Sequence, residues 1–384
     1  MGNALIGLAI LGSTGSIGEQ TLAVVRALPD RFRVVALGAG ANVDALRRQV
    51  AEFHPAAAWA APGPDADRLA AELGRDAWQP LEVMAARPDV DVVVVATSGL
   101  AGLAPTLAAL RARKAVALAN KDVLVVAGHA VREALAHGGD LRPVDSEHSA
   151  IWQCLWGEQP EHIASLTLTA SGGAFRDLDP AALDAVTPEQ ALRHPTWRMG
   201  PKVTIDSATL FNKGLEAIEA RWLFDVPLAR IHVLQHRESV VHSLVTFTDG
   251  SVKAQLGEPD MRLPIQCALT YPERAPHAVI APLDLAGRGA LSFAPVDHAR
   301  FPALAIALEA GRRDDTSAAA LSGADEAAVA HFLAGRLRFT DIARLLARAL
   351  DAHAPRRDPQ LDELLAAEAW GRAFVESAVL AGAR

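Results

Sequence analysis

The sequence predicts an α/β protein with an N-terminal parallel sheet, a central α+β part and a C-terminal helical bundle, and three observations predict it. Short apolar runs alternate with helical stretches up to Ser149. Mixed elements and a hairpin signal follow. Beyond Phe301 the chain is alanine-rich with helical periodicity.

The apolar runs Ala4 to Leu11, Arg33 to Leu37, Asp91 to Ala96, Ala115 to Ala119 and Leu141 to Val144 read as strands. Their spacing implies βαβ units, whose ligands bind beyond the carboxyl ends of the strands. In the central part Leu166 to Thr169 and Val203 to Ile205 read as strands and Asn212 to Phe224 as a helix. Ser239 to Leu256 reads as a hairpin turning at Asp249-Gly250. Tyr271 to Pro302 is rich in proline without sustained periodicity and reads as a linker. In the bundle Ile342, Leu345, Leu346 and Ala349 recur with helical period, and Asp358-Pro359 supplies an N-cap and first-turn proline for the last helix.

The chain has 384 residues, 51% of them apolar, and a net charge of −8. That length allows two or three cores, and no apolar run approaches the roughly eighteen residues of a membrane span. The acidic balance and the lack of a basic stripe argue against nucleic acid. A basic n-region is missing at the start, so no signal peptide is expected. Cys154 and Cys267 form no CxxC motif, which suits buried thiols in a reducing cytoplasm.

Gly12-Ser13-Thr14-Gly15-Ser16-Ile17-Gly18 stands between the first strand and a helical run beginning near Glu19. Glycines there let the backbone approach a pyrophosphate, whose charge is favoured by unpaired helix N–H groups. The GxxGxxG spacing is a weak signal alone; the βα units around it make the N-terminal part Rossmann-like. The second strand runs into Gly38-Ala39-Gly40-Ala41-Asn42 with no carboxylate before Asp44, which favours NADP over NAD. No cation stands in that loop either, so Arg47 or Arg48 would have to reach a 2′-phosphate.

Asp145-Ser146-Glu147-His148 follows the fifth predicted strand. On an extended chain Asp145 and Glu147 point the same way and converge on one cation, although a plain surface loop fits the segment too. Further on, Asn212, Glu216 and Glu219 share a helix face, with Lys213 one turn before Glu216 and Leu215, Ile218 and Trp222 on the opposite side. An ordinary solvated face is the alternative. Three carboxylates suit Mg²⁺ or Mn²⁺, and His148 lacks the partner spacing of a zinc site. Lys213, Asn212, Ser207 and Ser171, the last followed by Gly172-Gly173, offer donors to a phosphate. His194-Pro195, with Trp197 and Met199 nearby, suits a mobile cover, or a purely structural histidine.

At these residues the sequence resembles the 1-deoxy-D-xylulose 5-phosphate reductoisomerase family along essentially its whole length. The segments that carry the resemblance are GSTGSIG at 12 to 18, LANKD at 118 to 122, PVDSEHS at 143 to 149, SGGAFR at 171 to 176, RHPTW at 193 to 197, DSATLFNKGLEAIEARWLF at 206 to 224 and QLGEPDMRLPI at 255 to 265. The resemblance implies a metal- and NADPH-dependent rearrangement and reduction of a phosphorylated ketose to 2-C-methyl-D-erythritol 4-phosphate in non-mevalonate isoprenoid synthesis. It leaves open whether the carbon skeleton moves by retro-aldol/aldol steps or by a ketol shift.

By the same resemblance one divalent cation (Mg²⁺, Mn²⁺ or Co²⁺) is held by Asp145, Glu147 and Glu216. Substrate contacts come from Lys121, Ser146, Glu147, Ser171, His194, Ser207, Asn212 and Lys213. Cofactor contacts come from Thr14, Gly15, Ser16, Ile17, Gly40, Asn42, Asn120, Lys121, Asp122 and Gly200. Lys121 and His194 join the metal ligands as catalytic residues. The implied organisation is a cytoplasmic homodimer with a cofactor domain at 1–149, a catalytic domain at 150–275 with a flap near 186–202, a linker at 276–300 and a helical domain at 301–384. The sequence departs from the family pattern at Ala41, where Lys or Arg is usual, at Asp122, Arg198, His236-Arg237-Glu238-Ser239 and Ser322-Gly323-Ala324-Asp325-Glu326. Two competing readings are a related NADP-dependent oxidoreductase on another small phosphorylated substrate and a non-catalytic nucleotide sensor; intact carboxylates disfavour the sensor.

Overall fold

The computed structural model describes residues 5–197, 199–275 and 280–382. The chain forms two compact units. The first comprises residues 1–123, 129–149 and 260–282, and the second 124–128, 150–259 and 283–384.

The first unit is a six-stranded parallel sheet. Its strands are β1 (Ile6–Leu11), β2 (Phe32–Ala39), β3 (Ala57–Ala60), β4 (Val92–Val95), β5 (Ala115–Leu118) and β6 (Asp140–Pro143), in spatial order β3-β2-β1-β4-β5-β6. This order reverses direction at β1, so the crevice beyond the ends of β1 and β4 is the natural ligand position. Leu8, Ile10, Val92 and Val94 are buried on the sheet, as expected of strands covered on both faces. Residues 262–270 return to this unit as a helix whose Ile265, Ala268 and Leu269 join its core, and Arg142 Nη1 donates to Ala268 O at 2.9 Å. The β3 strand had no sequence signal of its own, because Ala57-Ala58-Trp59-Ala60 is neutral in strand preference. The expected first-strand residue Ala4 lies outside the described residues.

The second unit holds a mixed sheet in the order β10-β9-β7-β8-β11 and a helical bundle. Its strands are β7 (Ile163–Ala170), β8 (Ile231–Gln235), β9 (Val241–Phe247), β10 (Val252–Leu256) and β11 (Ala294–Pro295). The expected hairpin is β9-β10, with Gly250 at φ +86° in its turn. Helices 302–312, 317–333, 339–352 and 361–380 build the bundle, whose core includes Leu321, Phe332, Ile342, Leu345, Leu346 and Val375.

Three local expectations are corrected. Val203 to Ile205 is not a strand but part of the helix Pro201–Thr209; proline at its first turn and the polar residues around the short β-branched run favour a helix. The last helix starts at Leu361 with Gln360 as N-cap, because Asp358 sits at φ +46°, outside the geometry of a cap. The stretch read as a linker carries a short helix, Leu285–Arg288, and β11, while residues 276–279 lie outside the described residues.

Candidate active site

In the first unit the glycine turn is built by close approach. Gly12 and Ser13 donate to Gly38 O at 2.8 Å each, which ties the turn to β2. A Cβ on Gly18 would stand 2.2 Å from Gly12 O, so only glycine lets the helix start this near the turn. That helix begins at Ser16, three residues before its expected start, with Gly15 as an N-cap that has no side-chain capping bond. Its first N–H groups are therefore available to an anion. Thr14, Gly15, Ser16 and Ile17 all reach the surface there. Buried Gln49 braces the turn from the next helix: its amide donates to Ser13 O at 3.0 Å and Glu19 Oε1 at 2.7 Å.

At the end of β2, Asn42 caps the helix Val43–Phe53 by accepting from Ala45 N at 3.2 Å, while Gly40 faces open space. Arg47 is paired with Glu72, outside the loop. Asn120 is buried behind β5, its amide donating to Gly99 O at 2.7 Å and its carbonyl accepting from Asp122 N at 3.1 Å. This arrangement presents Lys121, whose ammonium meets Asp145 Oδ2 at 2.6 Å. Asp145 is not followed by extended chain. Ser146 and Glu147 open the helix Ser146–Cys154, and Ser146 Oγ donates to Glu147 Oε2 at 2.6 Å. The carboxylates thus stand at a helix start, a position that polar side chains cap well and strands do not provide.

In the second unit β7 delivers Ser171 into a turn with Gly172 at φ +87° and Gly173 at φ +69°. A Cβ on Gly173 would stand 2.5 Å from Ser207 O, so the glycine permits contact with the helix Pro201–Thr209. His194 Nε2 lies 3.0 Å from Ser171 Oγ and 3.1 Å from Ser207 Oγ, and its Nδ1 accepts from the backbone N–H groups of Thr196 and Trp197. With Nδ1 an acceptor, the proton of the neutral ring sits on Nε2, facing both hydroxyls. Burial, with Lys213 and Arg176 nearby, pushes His194 down to about 4. Gly200 caps the helix Pro201–Thr209, and Trp197 approaches His242 at a ring distance of 6.2 Å; Arg198 lies outside the described residues.

The helix Phe211–Phe224 follows at a sharp corner made by Leu210 at φ +59°. Its polar face is buried, not solvated. Glu216 is 1% exposed; Lys213 Nζ bonds its Oε2 at 2.6 Å, and Asn212 donates to its Oε1. A buried ion pair of this kind is costly to desolvate, so it signals a functional demand more than a stabilising one. Gly214 lets the helix pack against Ala307, since a Cβ there would meet that side chain at 2.2 Å.

Sequence reasoning missed two neighbours. His242, buried on β9, is pushed down to about 4 by burial, against hydrogen bonds from the backbone at Gly257 and Glu258 and with Lys213 helping. Its only sequence signal is a histidine on an inward position of an apolar strand. Arg176 donates to Ser171 O at 3.0 Å and brings positive charge to the His194 cluster; it is visible in the sequence only as the end of SGGAFR.

Three family models match: 1-deoxy-D-xylulose 5-phosphate reductoisomerase over residues 8–128, and the C-terminal domains of the same enzyme over 141–224 and 256–374. A 1-deoxy-D-xylulose 5-phosphate reductoisomerase from Geobacillus kaustophilus is 52% identical, covering 96% of this chain and 98% of its own. The chain belongs to the 1-deoxy-D-xylulose 5-phosphate reductoisomerase family. A family member from Thermomicrobium roseum is 51% identical over 97% of this chain and 98% of its own. Two solved structures superpose with a TM-score of 0.90. One is a DOX-P reductoisomerase in complex with NADPH, fosmidomycin and magnesium, 40% identical and covering 98% of each chain. The other is the Zymomonas mobilis reductoisomerase in complex with NADPH, 37% identical, covering 98% of this chain and 99% of its own. The expected fold and enzyme class are therefore borne out: this is an α/β reductoisomerase with a parallel sheet and a helical C-terminal region.

Proposed function

We propose how this chain's residues divide the work of its family. The chain converts 1-deoxy-D-xylulose 5-phosphate to 2-C-methyl-D-erythritol 4-phosphate with NADPH and a divalent cation. Asp145, Glu147 and Glu216 hold the cation. An all-carboxylate set suits Mg²⁺ or Mn²⁺ and also accepts the borderline Co²⁺, and the buried Glu216, held by Asn212 and Lys213, is the observation that carries this reading. When bound, the cation supplies charge stabilisation to substrate oxygens and NADPH supplies the hydride.

The uncapped helix start at Thr14, Gly15, Ser16 and Ile17 receives the cofactor pyrophosphate; Gly40, Asn42, Asn120, Lys121, Asp122 and Gly200 complete its contacts. Ser171, Ser207, Asn212 and Lys213 bind the substrate phosphate. Supporting this, Ser171 and Ser207 share the Nε2 proton of His194, which stays neutral and can donate to an anion at working pH. Ser146, Glu147 and Lys121 face the reacting hydroxyls. The segment 186–202, with Trp197 and Met199, covers the substrate and keeps water out.

The functional division follows the segments 1–149, 150–275, 276–300 and 301–384. The enzyme works as a cytoplasmic homodimer, without nucleic-acid or membrane partners; among the described residues no helix is long and apolar enough to cross a membrane. The deciding experiment follows NADPH absorbance with 1-deoxy-D-xylulose 5-phosphate, with Mg²⁺ and with EDTA, and identifies the product. Metal-dependent oxidation that yields the branched methylerythritol phosphate upholds the reading. No oxidation by folded, metal-loaded protein, or an unbranched product, overturns it in favour of another phosphorylated substrate.

A further inference from the structure

The second unit contains a cavity of about 380 Å³ to which no residue of the candidate active site contributes. Its body is apolar, formed by Leu183, Phe301, Ile306 and Phe339 among others, and the charged side chains on its wall are Arg300 and Arg344. No carboxylate lines it among the described residues. The acidic partners of the two arginines lie outside the wall. Asp297 is 3.8 Å from Arg300 Nε, Asp341 Oδ1 is 2.9 Å from Arg344 Nη1, and Asp184 is 3.9 Å from Arg344 Nη2. Arg300 donates through Nη1 to Arg176 O at 2.7 Å, yet its buried Nε makes no hydrogen bond.

A half-open, largely apolar cleft with two guanidinium groups and no acid on its wall, the acids that pair with them standing behind it, favours a ligand that is hydrocarbon at one end and anionic at the other. Its volume lies near the lower end of the roughly 300–1,000 Å³ of ligand pockets, enough for a small molecule. We propose that this cavity binds a small amphipathic anion, a phosphate monoester with a short hydrocarbon body, at a site separate from that of the substrate. The hydrocarbon packs against Phe301, Ile306 and Phe339, and the phosphate takes donors from Arg300 and Arg344. Thr209, at the end of the helix Pro201–Thr209, also lines the cavity, and its hydroxyl accepts from Phe211 N at 3.2 Å. The occupant therefore abuts the Leu210 corner that sets Asn212 and Lys213.

Calorimetric titration of the full-length enzyme with n-hexyl phosphate tests the proposal, with inorganic phosphate and n-hexanol as the two half-ligands. We expect n-hexyl phosphate to bind at least about tenfold more tightly than either half. Saturating 2-C-methyl-D-erythritol 4-phosphate should not displace it. Arg344→Gln and the cavity-filling Ala343→Phe should each weaken binding about tenfold, while Arg348→Gln, exposed on the same helix outside the cavity, should not. Ala343→Phe counts only with native near-ultraviolet circular dichroism; otherwise Arg344→Gln decides. Absence of binding, displacement by the methylerythritol phosphate, equal binding of inorganic phosphate, or indifference to Arg344→Gln overturns the proposal.

Discussion

The glycine turn at Gly12–Gly18 and the helix Phe211–Phe224 meet charge in opposite ways. The turn offers backbone N–H groups at a helix start with no capping side chain, and what makes it specific is the absence of Cβ atoms at close approaches. The helix offers side chains, and it buries Asn212, Lys213 and Glu216 to do so. A backbone site is broken by adding atoms. A buried polar site is broken by removing one partner, which leaves the other desolvated and unpaired.

The largest effect should come from the helix. Glu216→Gln is expected to lower turnover about a thousandfold by weakening the cation, and to leave NADPH binding intact. It should also lower stability, because it removes the buried carboxylate that Lys213 Nζ meets at 2.6 Å. Steady-state kinetics, NADPH fluorescence titration and urea unfolding read the three effects. A variant with unchanged metal-dependent turnover would remove Glu216 from the ligand set.

The same burial makes the second unit sensitive to acid. His242 titrates near 6.5 when unfolded and is held at about 4 in the fold. Below pH 6.5 the unfolded chain takes up a proton that the folded chain refuses. Stability present above pH 6.5 is thus lost as pH falls towards 4, by about 3 kcal/mol in all. The half-buried His194 acts in the same direction. Urea unfolding of the native enzyme and of His242→Asn at pH 7 and at pH 4.5 should show a shallower acid loss in the variant. Equal losses would mean that His242 is not held neutral.

The turn should fail by crowding. Gly18→Ala places a methyl 2.2 Å from Gly12 O, and an overpacking cost of about 1–3 kcal/mol predicts NADPH affinity weaker by about five- to 150-fold. Gly63→Ala, outside the cofactor contacts, meets nothing within 4 Å and should leave affinity within about twofold. Equal effects of the two substitutions would locate the pyrophosphate away from the Gly12–Gly18 turn.

The two regions also differed in how far the sequence disclosed them. Apolar runs revealed five of the six parallel strands, because covered strands must be apolar throughout; β3, alanines and Trp59, is apolar too but lacks the β-branched residues that mark a strand. The 3.6-residue period placed Asn212, Glu216 and Glu219 on one face but did not distinguish a solvated face from a buried one, since periodicity reports what is shared and not what covers it. Local competition defeated two readings. Val203-Thr204-Ile205 has strand preference yet follows Pro201 in a helix, and Asp145-Ser146-Glu147 turns into a helix instead of extending β6. The His194–Ser171–Ser207 contacts and the place of His242 are tertiary facts with no local signature.

The smallest effect concerns the loop after β2. Gly40-Ala41-Asn42 carries no cation, Arg47 is engaged with Glu72, and Asp44 is close enough to Arg47 to add negative potential beside it. The loop itself thus offers no cation to a 2′-phosphate, so the preference for NADPH over NADH should be modest. Ala41→Lys supplies the missing charge at an exposed position, where a charged contact is worth about 1 kcal/mol. The ratio of kcat/KM for NADPH to that for NADH should therefore rise about fivefold, mainly through KM for NADPH and less so at high salt. A ratio that stays constant would place the 2′-phosphate out of reach of residue 41. It would then direct attention to Arg48, on the following helix, as the residue that reads it.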